Sequence, residues 1–152
     1  MNTLSTKENG LLKDLAGQEK LCIDKYNRYS SEAKSPVLKA LFQSMAKTEE
    51  EHLKTVNEMI SGGTPSMPLT IGNSNNQNTE AFSYGSEDER KQDAFLCTDM
   101  LATEKHASSL YDTSVFEFTM PEHRRILNHI QAEEQQHGEQ IYAYMKNNNM
   151  YN

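Results

Sequence analysis

Two copies of Glu-x-x-His, Glu49 to His52 and Glu134 to His137, stand 85 residues apart in a chain of 152. Either copy alone is ordinary for a polar helix. The same offset, however, lays "QEKLCIDKY" from residue 18 over "TEKHASSLY" from residue 103, and Pro36 over Pro121. Self-similarity at one fixed period marks a repeated structural unit, so the chain is expected to be a duplicated helical hairpin.

The punctuation of the sequence agrees. Residues 61–85, "SGGTPSMPLTIGNSNNQNTEAFSYG", are rich in Gly, Pro, Ser and Asn, which disfavour regular helix. Each flanking half is broken once, at Ser35-Pro36 or Met120-Pro121, where proline suits the first turn of a new helix. Helices are therefore expected at 6–32, 36–60, 87–116 and 121–146, with a short Asn-rich tail at 147–152. Ser5 with Glu8 and Ser86 with Glu89 both fit a capping box, in which each side chain satisfies the other residue's free backbone N–H. One all-α domain covers residues 1–152 in this reading. It is an antiparallel four-helix bundle made of hairpins 6–60 and 87–146, joined by a crossover at 61–85.

Apolar residues at spacings of three and four give each helix one inward stripe. The stripes are Leu12, Leu15, Cys22, Tyr26 and Tyr29; Leu38, Phe42, Met45, Val56 and Met59; Cys97, Met100, Ala107 and Tyr111; and Leu127, Ile130, Ile141 and Tyr144. Six polar residues interrupt them in phase: Glu19, Glu49, His52, Glu104, Glu134 and His137. The midpoint of Glu19 and Glu49 is residue 34, beside the break at Ser35-Pro36, and that of Glu104 and Glu134 is residue 119, beside Met120-Pro121. Fifteen residues from the turn, at ~1.5 Å per residue, place all four about 22 Å down their helices, near mid-bundle.

Four carboxylates buried together repel one another and lose hydration, which is strongly unfavourable without compensation. Two divalent cations would neutralise them. One Glu from each of two helices plus Glu-x-x-His from each of the other two is the di-iron or di-manganese carboxylate pattern of ferritin-like bundles. The expected ligands are thus Glu19, Glu49, His52, Glu104, Glu134 and His137, holding two transition-metal ions, iron first and manganese as the alternative. A 25-residue linker reaching ~80 Å can climb a helix of ~37 Å, which permits the single long crossover of a ferritin-like bundle. Tyr26 and Tyr111, each seven residues beyond the lone Glu of its helix, are placed to hydrogen-bond a ligand carboxylate or take part in electron transfer, with core packing and a satisfied hydroxyl the favoured expectation. His106, His123 and His129 miss the ligand positions, and Glu50, Glu51, Glu133 and Glu139 are expected to be surface charge.

A net charge of -7 argues against nucleic acid as a partner, since phosphate binding needs a basic face. Neither a signal-peptide pattern nor an apolar run of membrane-spanning length is present, so a soluble protein made in the cytoplasm is expected. Cys22 and Cys97 lack Cys-x-x-Cys spacing and fit buried free thiols better than a zinc or iron–sulfur site. The eight Met fit adaptable core and tail positions.

From about Gln92 onward, with "TEKHASSLYDTSVFEFTMPEHRRILNHIQAEEQQHGEQIYAYM" at its centre, the chain resembles the coat F family of spore coat proteins from endospore-forming bacteria. The first half is similar only through the internal repeat. The resemblance implies a ferritin-like fold and a place in the spore coat, with other coat proteins or further copies of the chain as partners. The six-residue pattern is also similar to that of rubrerythrins and related di-iron proteins. That likeness implies an oxidoreductase or peroxidase acting on O2 or peroxide in oxidative-stress defence, or iron storage. Two departures weigh against peroxidase chemistry: the four-Cys rubredoxin-like module is missing, and Ala107 stands where the rubrerythrin pattern often has an extra Glu.

Overall fold

The computed structural model of the chain describes residues 3–67 and 78–151. Its four helices are α1 (Thr6–Glu32), α2 (Pro36–Ile60), α3 (Glu87–Glu117) and α4 (Pro121–Asn147), and the described residues contain no strand. Periodicity and caps predict these ends to within a residue.

Local chemistry accounts for the helix starts. Ser5 and Glu8 form both arms of the expected capping box, with Glu8 N–H donating to Ser5 Oγ at 3.0 Å and Ser5 N–H to Glu8 Oε1 at 2.9 Å. At α3 the expected box is only half made: Ser86 Oγ accepts from Glu89 N–H, while no bond returns from the Glu89 side chain to the Ser86 backbone. Proline opens α2 and α4, where its missing N–H costs nothing. The end of α2 requires glycine, because Gly62 sits at φ 92°, a left-handed conformation that lets Gly63 N–H reach the Glu58 carbonyl at 3.0 Å.

Contacts between helices fix their directions. Lys7 pairs with Glu117 at 2.9 Å and Lys25 with Asp99 at 3.1 Å, so α1 and α3 are antiparallel. His52 meets Glu134 while Glu49 meets His137, so α2 and α4 are antiparallel as well. Since each hairpin also reverses direction, α2 and α3 run the same way, so Ile60 and Glu87 lie at opposite ends of the bundle. Residues 68–77 of the expected crossover lie outside the described residues. Its far end is tied down by the C-terminal asparagines: Asn147 Nδ2 donates to the Thr79 carbonyl at 2.8 Å, and Phe82 N–H to Asn148 Oδ1 at 2.9 Å.

Each hairpin turn is closed by a carboxylate from the other hairpin. Asp93 on α3 accepts N–H bonds from Lys34 at 2.8 Å and Ser35 at 3.0 Å in the α1–α2 turn. Glu8 on α1 accepts from Thr119 N–H at 3.2 Å in the α3–α4 turn. Glu8 and Asp93, like Lys34 and Thr119, differ by 85 positions.

The apolar core is divided in two. One cluster includes Tyr26, Phe42, Met45, Met100, Ile141 and Tyr144; the other includes Leu12, Leu15, Val56, Met59, Leu127 and Ile130. Each fully buried side chain of this size contributes about 1.5–3 kcal/mol relative to exposure. Those clusters hold the helices in register on both sides of a polar layer.

Candidate metal centre

That polar layer consists of the six residues that interrupt the apolar stripes. Glu19 and Glu49 are fully buried, and Glu104, Glu134, His52 and His137 are no more than 5 % exposed. The Nδ1 atom of His52 lies 2.7 Å from Glu134, 3.0 Å from Glu49 and 3.2 Å from Glu19. His137 Nδ1 lies 3.3 Å from Glu104 and 3.5 Å from Glu49. All six predicted residues therefore meet, one or two from each helix.

Their ligating atoms sort into two groups that can hold a metal ion: Glu19, Glu49, His52 and Glu134, and Glu49, Glu104, Glu134 and His137. Within each group those atoms lie within 4.8 Å of one another. Glu49 and Glu134 belong to both. The approaches are short, yet they lack hydrogen-bond geometry: all eight carboxylate oxygens and both Nδ1 atoms are buried without a hydrogen-bond partner. Buried polar atoms are ordinarily paired. Oxygen and nitrogen atoms that converge within a few ångströms without bonding one another fit a metal ion, for which carboxylate and imidazole are suitable ligands.

The electrostatics record the cost of the same convergence. Burial pushes the Glu19 and Glu104 carboxyls up to about 7, aided in both cases by a neighbouring carboxylate. Glu49 is raised well above the usual range by burial and by Glu134 and Glu104, and Glu134 is raised by burial and Glu104. The two histidines diverge. Burial lowers His137 to about 4, whereas burial of His52 is outweighed by its hydrogen bond to Glu133 and by the carboxylates of Glu134, Glu19 and Glu49 crowded against Nδ1, which raise it well above its usual value.

Tyr26 and Tyr111 are both fully buried, and neither hydroxyl has a hydrogen bond of ordinary geometry. Tyr26 stands edge-on to His137 with ring centroids 6.0 Å apart, and its hydroxyl is near enough to Glu104 to lower that carboxyl. Cys22 and Cys97 are buried free thiols, each pushed up by burial. His106 is exposed, and His123 is buried against Phe118, centroids 5.5 Å apart, away from the ligands.

Glu133 corrects the expectation of surface charge. Its Oε1 lies 2.8 Å from His52 Nε2 and 3.6 Å from His129 Nε2, and its side chain is only 26 % exposed. The signal for it in the sequence is the stripe His129, Glu133, His137 at intervals of four, which flanks the ligand stripe on α4. Glu50, Glu51 and Glu139 are exposed as expected.

Fold and site together define a class: an all-α four-helix bundle with a buried carboxylate–imidazole layer able to hold metal. Residues 92–152 match the family model described as the Coat F domain. That match contains Glu104, Glu134 and His137 but none of the candidate ligands from the first hairpin. No curated protein and no solved structure matches the chain. None of the described helices is long and apolar enough to cross a membrane.

Proposed function

We propose that this chain is a spore-coat-associated, ferritin-like protein whose bundle holds a dinuclear metal centre, with iron as the preferred metal and manganese as the alternative. The observation that carries the reading is the pair of four-residue ligand groups sharing Glu49 and Glu134. In this reading Glu19 and His52 would complete one half and Glu104 and His137 the other, with Glu49 and Glu134 available to both. The parallel course of α2 and α3 supports the ferritin-like assignment. The offset of 85 common to the ligands and the turn-closing carboxylates supports duplication of a hairpin.

Metal ions bound here would neutralise the four carboxylates, and a pair of iron ions would also supply redox chemistry toward O2 or peroxide. The surrounding residues serve the structural role directly. Six side chains from four helices join at one level, the two apolar clusters above and below exclude water, and Tyr26 and Tyr111 wall the layer with buried rings. Because such a site is assembled only in the folded chain, metal-binding energy would become folding energy.

Metal analysis of the purified protein tests the proposal. About two iron or manganese ions per chain are expected, with content lost in Glu49→Ala and His137→Ala. Content below about one ion per chain, unchanged in both variants, would overturn it. Stopped-flow mixing of the ferrous protein with peroxide then separates a coat component from an oxidoreductase, since only the latter would show rapid oxidation on repeated turnovers.

A further inference from the structure

Each half of the centre contributes one histidine, but only one of the two is backed by a carboxylate. His52 turns Nδ1 toward Glu19, Glu49 and Glu134 and presents its outer nitrogen, Nε2, to Glu133 at 2.8 Å. The position 85 residues before Glu133, which should serve His137 by the same relation, is Thr48. Threonine has no carboxylate to offer, and its hydroxyl donates to the Ser44 carbonyl of its own helix at 3.4 Å. Among the described residues His137 makes ion-pair contacts only through Nδ1, with Glu49 and Glu104, and none through its outer nitrogen.

A carboxylate that accepts the outer N–H of a ligating imidazole fixes its tautomer and ring orientation and makes the inner nitrogen a better donor to metal. Losing such a partner typically weakens metal binding by roughly 10–100-fold. We propose that Glu133 is a positioning residue that makes the two halves of the centre unequal: the half built on Glu19 and His52 takes its metal first and holds it more tightly than the half built on Glu104 and His137. The inference rests on the dinuclear reading above. Glu133 keeps part of its surface in water, 26 % by side chain, so replacing it opens no sealed void and leaves the bundle able to fold.

Calorimetric titration of the metal-stripped full chain with Mn(II), paired with proton NMR of the Co(II)-loaded chain, tests it. The wild type should bind two equivalents in separable steps. Glu133→Ala should weaken the tighter step by about 10–100-fold and leave the weaker step in place, and Glu133→Gln, which retains an acceptor without the charge, should weaken the same step by less. In the Co(II) spectrum the wild type should show a shifted, slowly exchanging histidine N–H that broadens into solvent exchange in Glu133→Ala. A merely structural role would leave that signal alone. If the wild type binds two ions while Glu133→Ala changes neither step, or weakens both equally, Glu133 does not distinguish the halves and the dinuclear reading survives without it. If the wild type binds neither metal, the dinuclear reading fails and takes this inference with it.

Discussion

The imidazoles of His52 and His137 stack between α2 and α4 with centroids 6.4 Å apart and planes 29° from parallel, each turning Nδ1 toward Glu49. Neither ring can move without disturbing the other's ligands. The centre should therefore respond as one unit to changes at Glu49 or Glu134, and half by half to changes at Glu19 or Glu104.

For Glu49→Gln, metal content and metal-free stability should move in opposite directions. The variant loses a shared ligand, so both ions should be lost or bound weakly. Without metal it also loses one of four mutually repelling buried carboxylates, and the metal-free chain should gain about 1–3 kcal/mol. Urea denaturation in EDTA, beside metal analysis of the same preparation, checks both signs.

Stability in EDTA should fall as pH rises from about 5 toward 8. Glu19 and Glu104 go from an ordinary value of 4.5 up to about 7 on folding, so the stability they contribute is complete below about 4.5 and lost as pH climbs through 7. The raised Glu49, Glu134 and His52 act in the same direction. His137, lowered from 6.5 to about 4, opposes them, because its contribution is present above 6.5 and lost as pH falls toward 4. Metal requires the carboxylates ionised and the imidazoles neutral at the ligating nitrogen, so its affinity should rise over the same interval with release of protons. Melting curves in EDTA and in Mn(II) should separate as pH increases, and calorimetry in buffers of different ionisation enthalpy should show the protons leaving.

Asp93→Ala should cost about 3 kcal/mol, because Lys34 N–H, Ser35 N–H and the Tyr84 hydroxyl all end on this one buried carboxylate and unpaired buried donors are penalised. Amide exchange at Lys34 and Ser35 should accelerate well beyond that of helix interiors. A loss below about 0.5 kcal/mol would mean that water replaces the carboxylate at the turn.

Cys22 and Cys97 should be inert toward a thiol reagent such as DTNB in the native state and react only on unfolding. Both side chains are fully buried and both thiols are pushed above their ordinary range, so little thiolate is available to react. Reaction rates that follow urea-induced unfolding check this, and rapid labelling of folded protein would contradict the burial.

The fold was legible because helix boundaries rest on local chemistry: Ser5 and Glu8, Pro36, Pro121 and the Gly-rich end of α2 carry their own signals. The six candidate ligands were legible because each breaks an apolar stripe and each recurs at the common offset. Glu133 was not, since a carboxylate beside a ligand on a polar helix face looks solvated until the opposite helix is in place. Asn147 and Asn148 were read as a short tail for a related reason. What they do depends on Thr79 and Phe82, which lie far from them in the sequence.

The exchange of turn-closing carboxylates bears on how a chain of this kind can arise. A solitary hairpin of the first type would have Glu8 with no turn to close and Lys34 and Ser35 with no acceptor, together with two carboxylates and one imidazole of a six-membered set. Two such hairpins facing each other across a twofold axis would supply what each lacks. Fusion of the two would then relieve both copies of the need to stay identical, and on that account Glu133, with Thr48 at the equivalent position, would mark where they diverged beside the centre.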